Sequence, residues 1–283
     1  MNRFASGPKA HYYGKGDVSV YRLNRAAKSP ADPNPVFGAN VLMLLYGEAF
    51  WQTYLTGDNT GLIATDSMKN FIQRETMNFE GKDLEEFCRF LAEEFLRTYA
   101  QVEGLQVSAD EIPYAPIGRG MAFAPSGPER AFARVELCRT GLIEAASGLK
   151  GFKLLRLAGS AFKGFVRDQY TTLPDLNNRP LHMWLDLEWT YSTPEGAFTG
   201  GAVTAGVRQI VRDVFASFES GSIQQLIHQT GRKVLAEIAP IHEVRLEANN
   251  RTWDTIAEQG HESGVYTDAR PPYGCLGLTL RRS

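Results

Sequence analysis

From Leu181 to Tyr191 apolar and polar positions alternate without a break. Leu181, Met183, Leu185, Leu187, Trp189 and Tyr191 fall on one side; His182, Trp184, Asp186, Glu188 and Thr190 fall on the other. A strict two-residue period predicts a strand with one buried face. Shorter versions of the pattern predict a strand over 17–23, with Val18 and Val20 on one face. A longer strand is predicted through Val41, Met43 and Leu45, after a Pro-rich turn at 29–35. Further strands are predicted near Leu62-Ile63 and over 104–112, 130–139, 152–157, 244–246 and 275–280. A different period marks the helices. Leu84, Phe87, Leu91 and Phe95 recur at three- and four-residue spacing, with charges opposite, which predicts a helix over 83–99. Thr65-Asp66-Ser67 reads as the start of a helix before it, Thr and Asp being good N-cap residues. Val203, Val207, Ile210, Val214 and Phe218 form one later stripe. Ile223, Leu226, Ile227, Val234 and Ile238, after Ser222, form another.

The predicted order is strand–strand–helix–helix–strand–strand, twice over. That is an α+β arrangement of antiparallel sheets with helices on one face, divided into domains at 10–145 and 146–283. Thr65-Asp66 and Ser222 open helices at corresponding points of the two halves. Helix N-termini present unpaired N–H groups, so both are suited to hold an anion or an oxygen atom.

Composition narrows the classes. The 283 residues are 43% hydrophobic and 22% charged, as in an ordinary globular protein. With 30 basic and 32 acidic residues the net charge is −2. This argues against a nucleic-acid footprint or an anionic-membrane surface, and leaves room for a small anionic ligand. Cys88, Cys138 and Cys275, odd in number and widely spaced, fit reduced thiols better than a disulfide frame or a metal site. His11, His182, His228, His242 and His261 show no metal-ligand spacing. Gly118-Arg119-Gly120 lacks the setting of a phosphate loop. Residues 1–14 carry no apolar signal region and no apolar run approaches a membrane span, so a cytoplasmic protein is expected.

The segment 160–180 fits neither period. Phe162 stands near Gly164 and is followed by Arg167-Asp168, Tyr170-Thr171-Thr172 and, after a turn-rich stretch, Arg179. A flat aromatic face and a planar guanidinium fork in one pocket suit a flat, anionic heterocycle. Taken alone, the same residues are also compatible with a core Phe and a structural ion pair.

Five further pieces set this stretch in context: Tyr13-Gly14-Lys15, the run from Ala64 through Thr65-Asp66 to Asn70, Ile223-Gln224, Ala248-Asn249-Asn250-Arg251, and Arg270-Pro271-Pro272-Tyr273-Gly274. In this order and spacing, from Tyr13 to Arg281, the chain resembles the urate oxidase family, the cofactor-independent uricases of the tunnelling-fold (T-fold) superfamily. The resemblance implies tandem T-fold domains, ββααββ twice, assembling as a homotetramer into a tunnel-shaped barrel with active sites shared between subunits. It implies oxidation of urate by O2 to 5-hydroxyisourate and hydrogen peroxide, with no metal or other cofactor. Lys15 and Thr65 match the proton-transfer dyad, and Asp66 the neighbour that helps hold the ring. Phe162 matches the stacking aromatic, Arg179 and Gln224 the pair on the pyrimidine edge, and Ile223 the position whose backbone touches the ligand. Asn249 matches the residue facing dioxygen. Lys15, Thr65 and Asp66 would come from one chain and the ring-gripping set from its neighbour.

Position 251 departs from the pattern. The family has a relay His where this chain has Arg251, and arginine does not shuttle protons at working pH. A fixed cation there would favour the neutral amine of Lys15, hold a peroxide anion, or meet a charged substituent of another substrate. His261 is a weaker candidate to enter the pocket in the missing histidine's place. Two other readings therefore stand beside urate oxidation: an oxidase of the same fold acting on a different purine-like heterocycle, and a catalytically silent purine-binding homologue.

Overall fold

The ββααββ order occurs twice in the computed structural model, which describes residues 11–32, 35–118, 120–260 and 263–282. The first run comprises β1 (Tyr13–Leu23), β2 (Val36–Tyr46), a short helix α1 (Trp51–Thr56), α2 (Thr65–Glu75), α3 (Leu84–Thr98) and β3 (Gly104–Glu111). A small hairpin, β4 (Tyr114–Pro116) with β5 (Phe123–Pro125), then precedes β6 (Arg130–Cys138). The second run comprises β7 (Gly141–Arg156), β8 (Leu181–Tyr191), α4 (Ala202–Ser217), α5 (Ile223–Glu237) and β9 (Ile241–Thr252). The hairpin β10 (Thr255–Gln259) with β11 (Ser263–Tyr266) leads to β12 (Arg270–Arg281). The chain divides into two compact units, one formed by the residues up to Gly148 with Thr190–Thr204, the other by Leu149–Trp189 with Ala205–Ser283.

In the first unit β1, β2, β3 and β6 lie side by side in that order, all antiparallel, and β7 begins beside β6. Helix α2 packs on β1, and α3 on β3 and β6. Val41, Met43, Leu45, Leu105, Val107 and Val135 of the sheet meet Met68 and Ile72 of α2 and Phe87, Leu91 and Phe95 of α3, all fully buried. Each such side chain contributes roughly 1.5–3 kcal/mol relative to exposure. The three-to-four-residue stripe of α3 is therefore what fastens the helix to the sheet. Asp83 caps α3, its carboxylate accepting from the Glu86 amide at 2.8 Å. The Thr204 hydroxyl donates to the buried Glu85 carboxyl at 3.0 Å, which ties the 190–204 segment to this unit. Burial raises the pKa of that carboxyl.

In the second unit the strand order is β7, β8, β9, β12, and β9 and β12 are antiparallel. The alternation of β8 is realised: its six apolar positions are buried, the intervening ones half-buried or exposed. Helix α5 packs on β9 and β12. It approaches closely at Gly231, where an added Cβ would lie 2.9 Å from a Leu280 methyl and 3.0 Å from a Leu246 methyl.

Some local expectations are corrected. Leu62-Ile63 is not a strand; the Leu62 amide closes a turn onto the Asn59 carbonyl, and Ile63 is buried by packing. The strand expected at 152–157 starts instead at Gly141, because β6 returns directly as a hairpin. Two of the three cysteines, Cys88 and Cys138, are buried, Cys275 is exposed, and all are free. No helix among the described residues is long and apolar enough to cross a membrane. Arg119 and His261 lie outside the described residues.

Candidate active site

Lys15 stands on β1 opposite Met43 of β2, just before a break in register between Lys15 and Val18. The break is a bulge at Asp17, whose φ of 58° lies in the left-handed region and whose Oδ1 accepts from the Asn40 side chain at 2.7 Å. It lets β1 resume with Val18 and Val20 turned to the core. Two residues before Lys15, the Tyr13 hydroxyl accepts the Ile63 amide at 3.0 Å. Ile63 lies two residues before Thr65, so this bond fastens the start of α2 to the strand that carries Lys15. Burial pushes the Tyr13 hydroxyl up to about 12.

Thr65 and Asp66 are the first two helical residues of α2 and not its cap, as the sequence had suggested. Ala64 is the N-cap, and its carbonyl accepts the Met68 amide at 3.2 Å. No side chain caps this end, so the first-turn N–H groups are left to a ligand or solvent. The exposed Asp66 carboxylate turns along the helix to Lys69 Nζ at 2.6 Å and Asn70 Nδ2 at 2.9 Å. Its pKa lies below the usual range through the Lys69 hydrogen bond first and the Lys69 charge second, and Lys15 adds to the same effect. Lys15 is thus within electrostatic reach of Asp66.

In the second unit the 160–180 segment folds back on itself. Phe162 and Leu176 exchange two backbone hydrogen bonds, at 2.8 and 2.9 Å, and the Arg179 amide donates to the Ser160 carbonyl at 2.8 Å. This brings the Arg179 guanidinium carbon within 5.6 Å of the Phe162 ring centre, and Phe165 stacks on Phe162 at 5.0 Å, the planes 14° apart. Arg179 is half-buried, its Nε is buried with no hydrogen-bonding partner, and burial lowers its pKa. Among the described residues no carboxylate pairs with it; the ion pair of this segment joins Arg167 to Asp175, at 3.3 Å. Ser160 also bridges to Ser220, and Ala161 donates to the Ser220 carbonyl at 2.8 Å. That link sets the loop beside the start of α5, where Ser222 is the N-cap, Ile223 is buried and Gln224 is exposed in the first turn.

Asn249 and Arg251 lie on β9, on the face opposite buried Val244, Leu246 and Ala248, and Asn249 stands across from Cys275 of β12. The Arg251 guanidinium carbon is 3.8 Å from the Trp184 ring centre and 4.0 Å from that of Tyr273. Its Nε is buried between them without a hydrogen bond. Lys153 Nζ sits 4.6 Å from the same Trp184 ring. His182 stacks on Trp253 with ring centres 5.6 Å apart, and Trp253 stacks in turn on Tyr266. Burial first, then Lys153 and Arg251, holds the His182 pKa below its ordinary value, against the opposing charge of Asp268.

Sequence reasoning missed Trp184, His182 and Lys153 as neighbours of Arg251. The signal was present: an indole on the polar side of the β8 alternation marks a face that is not plain solvent. Among the described residues no three His, Cys, Asp or Glu side chains gather as a metal site. Lys15, Thr65 and Asp66 belong to the first unit, and Phe162, Arg179, Ile223, Gln224, Asn249 and Arg251 to the second.

The uricase family profile matches residues 145–276. The uric acid degradation bifunctional protein of Bacillus sp. (strain TB-90) is 36% identical over 95% of this chain, and the match covers 60% of that protein. This chain therefore spans about three fifths of the length of such bifunctional relatives. The uricase of Haloferax volcanii is 36% identical over 95% of this chain and 97% of its own. The crystal structure of Bacillus sp. TB-90 urate oxidase superposes with a TM-score of 0.86 at 34% identity, covering 96% of this chain and all of that one. Agreement of this extent in sequence and fold has one reading: the chain belongs to the uricase family.

Proposed function

We propose that this protein oxidises urate with O2, water supplying the new hydroxyl, to 5-hydroxyisourate and hydrogen peroxide, without a cofactor. The observation that carries the reading is Arg179: a half-buried guanidinium with an unpartnered Nε, no carboxylate beside it among the described residues, and the Phe162 ring 5.6 Å from its central carbon. A buried N–H without a partner is costly until a ligand completes it. A flat urate anion supplies both a face for Phe162 and adjacent acceptors for the guanidinium fork. Gln224, in the first turn of α5, adds an amide to the same edge, and the Ile223 backbone lies next to it.

Urate is electron-rich. Once a second proton is removed and the dianion is shielded from water, it transfers electrons to dioxygen itself. In this reading Lys15 and Thr65 take that proton, the hydroxyl relaying it to the amine. Asp66 helps hold the ring, and Asn249 faces the oxygen above it. Arg251 stays charged and steadies the peroxide anion that forms. Lys15, Thr65 and Asp66 act with the ring-gripping residues of a neighbouring subunit in a cytoplasmic homotetramer whose barrels form a tunnel. The domains run 10–145 and 146–283.

A second reading is favoured by Arg251 alone. Clamped between Trp184 and Tyr273, it presents a fixed cation that suits a purine-like substrate with an extra anionic group. Aerobic incubation of purified, metal-stripped protein with urate, following urate absorbance and peroxide together, decides between them. Matched loss of urate and gain of peroxide supports the first reading. Urate binding without peroxide moves the assignment to another heterocycle or to a silent binder.

A further inference from the structure

Arg156, the last residue of β7, makes five hydrogen bonds that bind three separate segments together. Nη1 donates to the carbonyls of Phe215 and Phe218, at 3.1 and 2.6 Å, where α4 ends. Nη2 donates to the Gly159 carbonyl at 2.8 Å, to Ser160 Oγ at 2.6 Å and to Ser220 Oγ at 3.1 Å. The guanidinium also lies 5.4 Å from the centre of the Phe215 ring. Helix C-termini leave carbonyls without intrahelical partners, so a cation there is doubly favoured. Ser160 and Ser220 are both buried, which leaves this guanidinium as the donor that satisfies their hydroxyls from inside the fold.

We propose that Arg156 is the positioning residue of the ring-gripping site, holding the Phe162 loop and the α5 start in mutual register from behind. Chain geometry makes the link. Phe162 stands two residues after Ser160, Arg179 hangs from the Ser160 carbonyl through its amide, and Gln224 lies four residues after Ser220, in the first turn of α5. All three ligand-facing groups are therefore anchored at the Ser160–Ser220 bridge, and Arg156 Nη2 touches both members of that bridge. A lysine in this place would reach one set of acceptors and not both, since only the fork spans the α4 carbonyls and the two serines. The inference rests on the proposed reading of Phe162, Arg179 and Gln224, and its test separates the two.

The full chain is compared with Arg156→Lys and with Ser160→Ala, which removes only the 2.6 Å bond. Amide hydrogen exchange reads the clamp without any ligand. At Ala161, Phe162 and Arg179 it is expected to quicken about tenfold in Arg156→Lys, with the amides of Leu185 and Leu187 in β8 unchanged. Urate binding, measured anaerobically, is expected to weaken about tenfold in Arg156→Lys, and by about twofold or less when Arg179→Gln is already present. Unchanged exchange at the three amides overturns the proposal, as does equal quickening in β8. Equal weakening of binding in both backgrounds does the same. A parent protein that binds no urate overturns the functional reading instead, and the exchange result alone then decides the clamp.

Discussion

The guanidinium of Arg251 lies against the indole of Trp184, its central carbon 3.8 Å from the ring centre, with Tyr273 closing the other side at 4.0 Å. Cation–π contacts of this kind contribute on the order of 0.5–2 kcal/mol each. The position that corresponds, by the resemblance, to the family's relay histidine thus holds a guanidinium wedged between two rings. Replacing it by a titratable ring, Arg251→His, is expected to add a pH-dependent limb to urate turnover near the imidazole range of about 6.5. The pH profiles of parent and variant check this; superimposable profiles would remove position 251 from the proton path.

On the proposed reading, Phe162 and Arg179 make separable contributions to urate binding. Phe162→Ala is expected to weaken urate binding by about 1–3 kcal/mol, the usual worth of a base–aromatic stack. Arg179→Lys keeps the charge but loses the planar fork, so KM should rise more than kcat falls. Steady-state kinetics with anaerobic titration tells the two apart; a loss confined to kcat would contradict the assignment of Arg179 to ground-state binding.

Tyr13→Phe removes the acceptor of the Ile63 amide. An unsatisfied donor costs about 1–3 kcal/mol when buried, and this site is partly so, which sets the expectation near about 1 kcal/mol. Chemical denaturation measures it. Because the bond also fixes the start of α2 relative to β1, turnover should fall while urate affinity changes little.

The same tyrosine shapes alkaline stability. Its folded pKa of about 12 lies above the ordinary tyrosine value of 10.0. Between those pH values the unfolded chain sheds a proton that the folded chain keeps, so stability is full below 10.0 and is lost as pH rises toward about 12. Tyr46, raised likewise to about 12, adds to the trend. Unfolding free energy followed against pH should decline less steeply in Tyr13→Phe than in the parent.

His182 acts at the other end of the scale. Its folded pKa is lowered, so on acidification the unfolded state takes up a proton before the folded state does. Stability is therefore highest above the imidazole's ordinary pKa of 6.5 and declines below it. His182→Gln should flatten thermal stability across that window, and an unaltered slope would show that the group does not carry the dependence.

Much of the fold is legible in the sequence. The period of β8 and the stripe on α3 are local patterns; burial follows every position of β8 and the apolar stripe of α3, with the charged Glu85 buried beside it. Ser222 was readable as a cap because a hydroxyl before an apolar stripe has few better uses. Thr65 and Asp66 misled for a related reason: the same residue types suit the first turn as well as the cap, and the Lys69 and Asn70 partners drew Asp66 along the helix. The short helix α1 and the two small hairpins carry no period long enough to read.

The sequence by itself determined the order of the main strands and helices, and it nominated Phe162 and Arg179 as side chains suited to a flat anion. Both follow from periodicity and side-chain chemistry within short windows. Only the tertiary structure decided that Arg179 meets no carboxylate among the described residues, that Arg251 is wedged between rings from β8 and β12, and that Arg156 joins the Phe162 loop to the end of α4 and the start of α5. Those facts depend on segments brought together from tens of residues apart, where sheet pairing and loop burial, not local pattern, choose each side chain's neighbours.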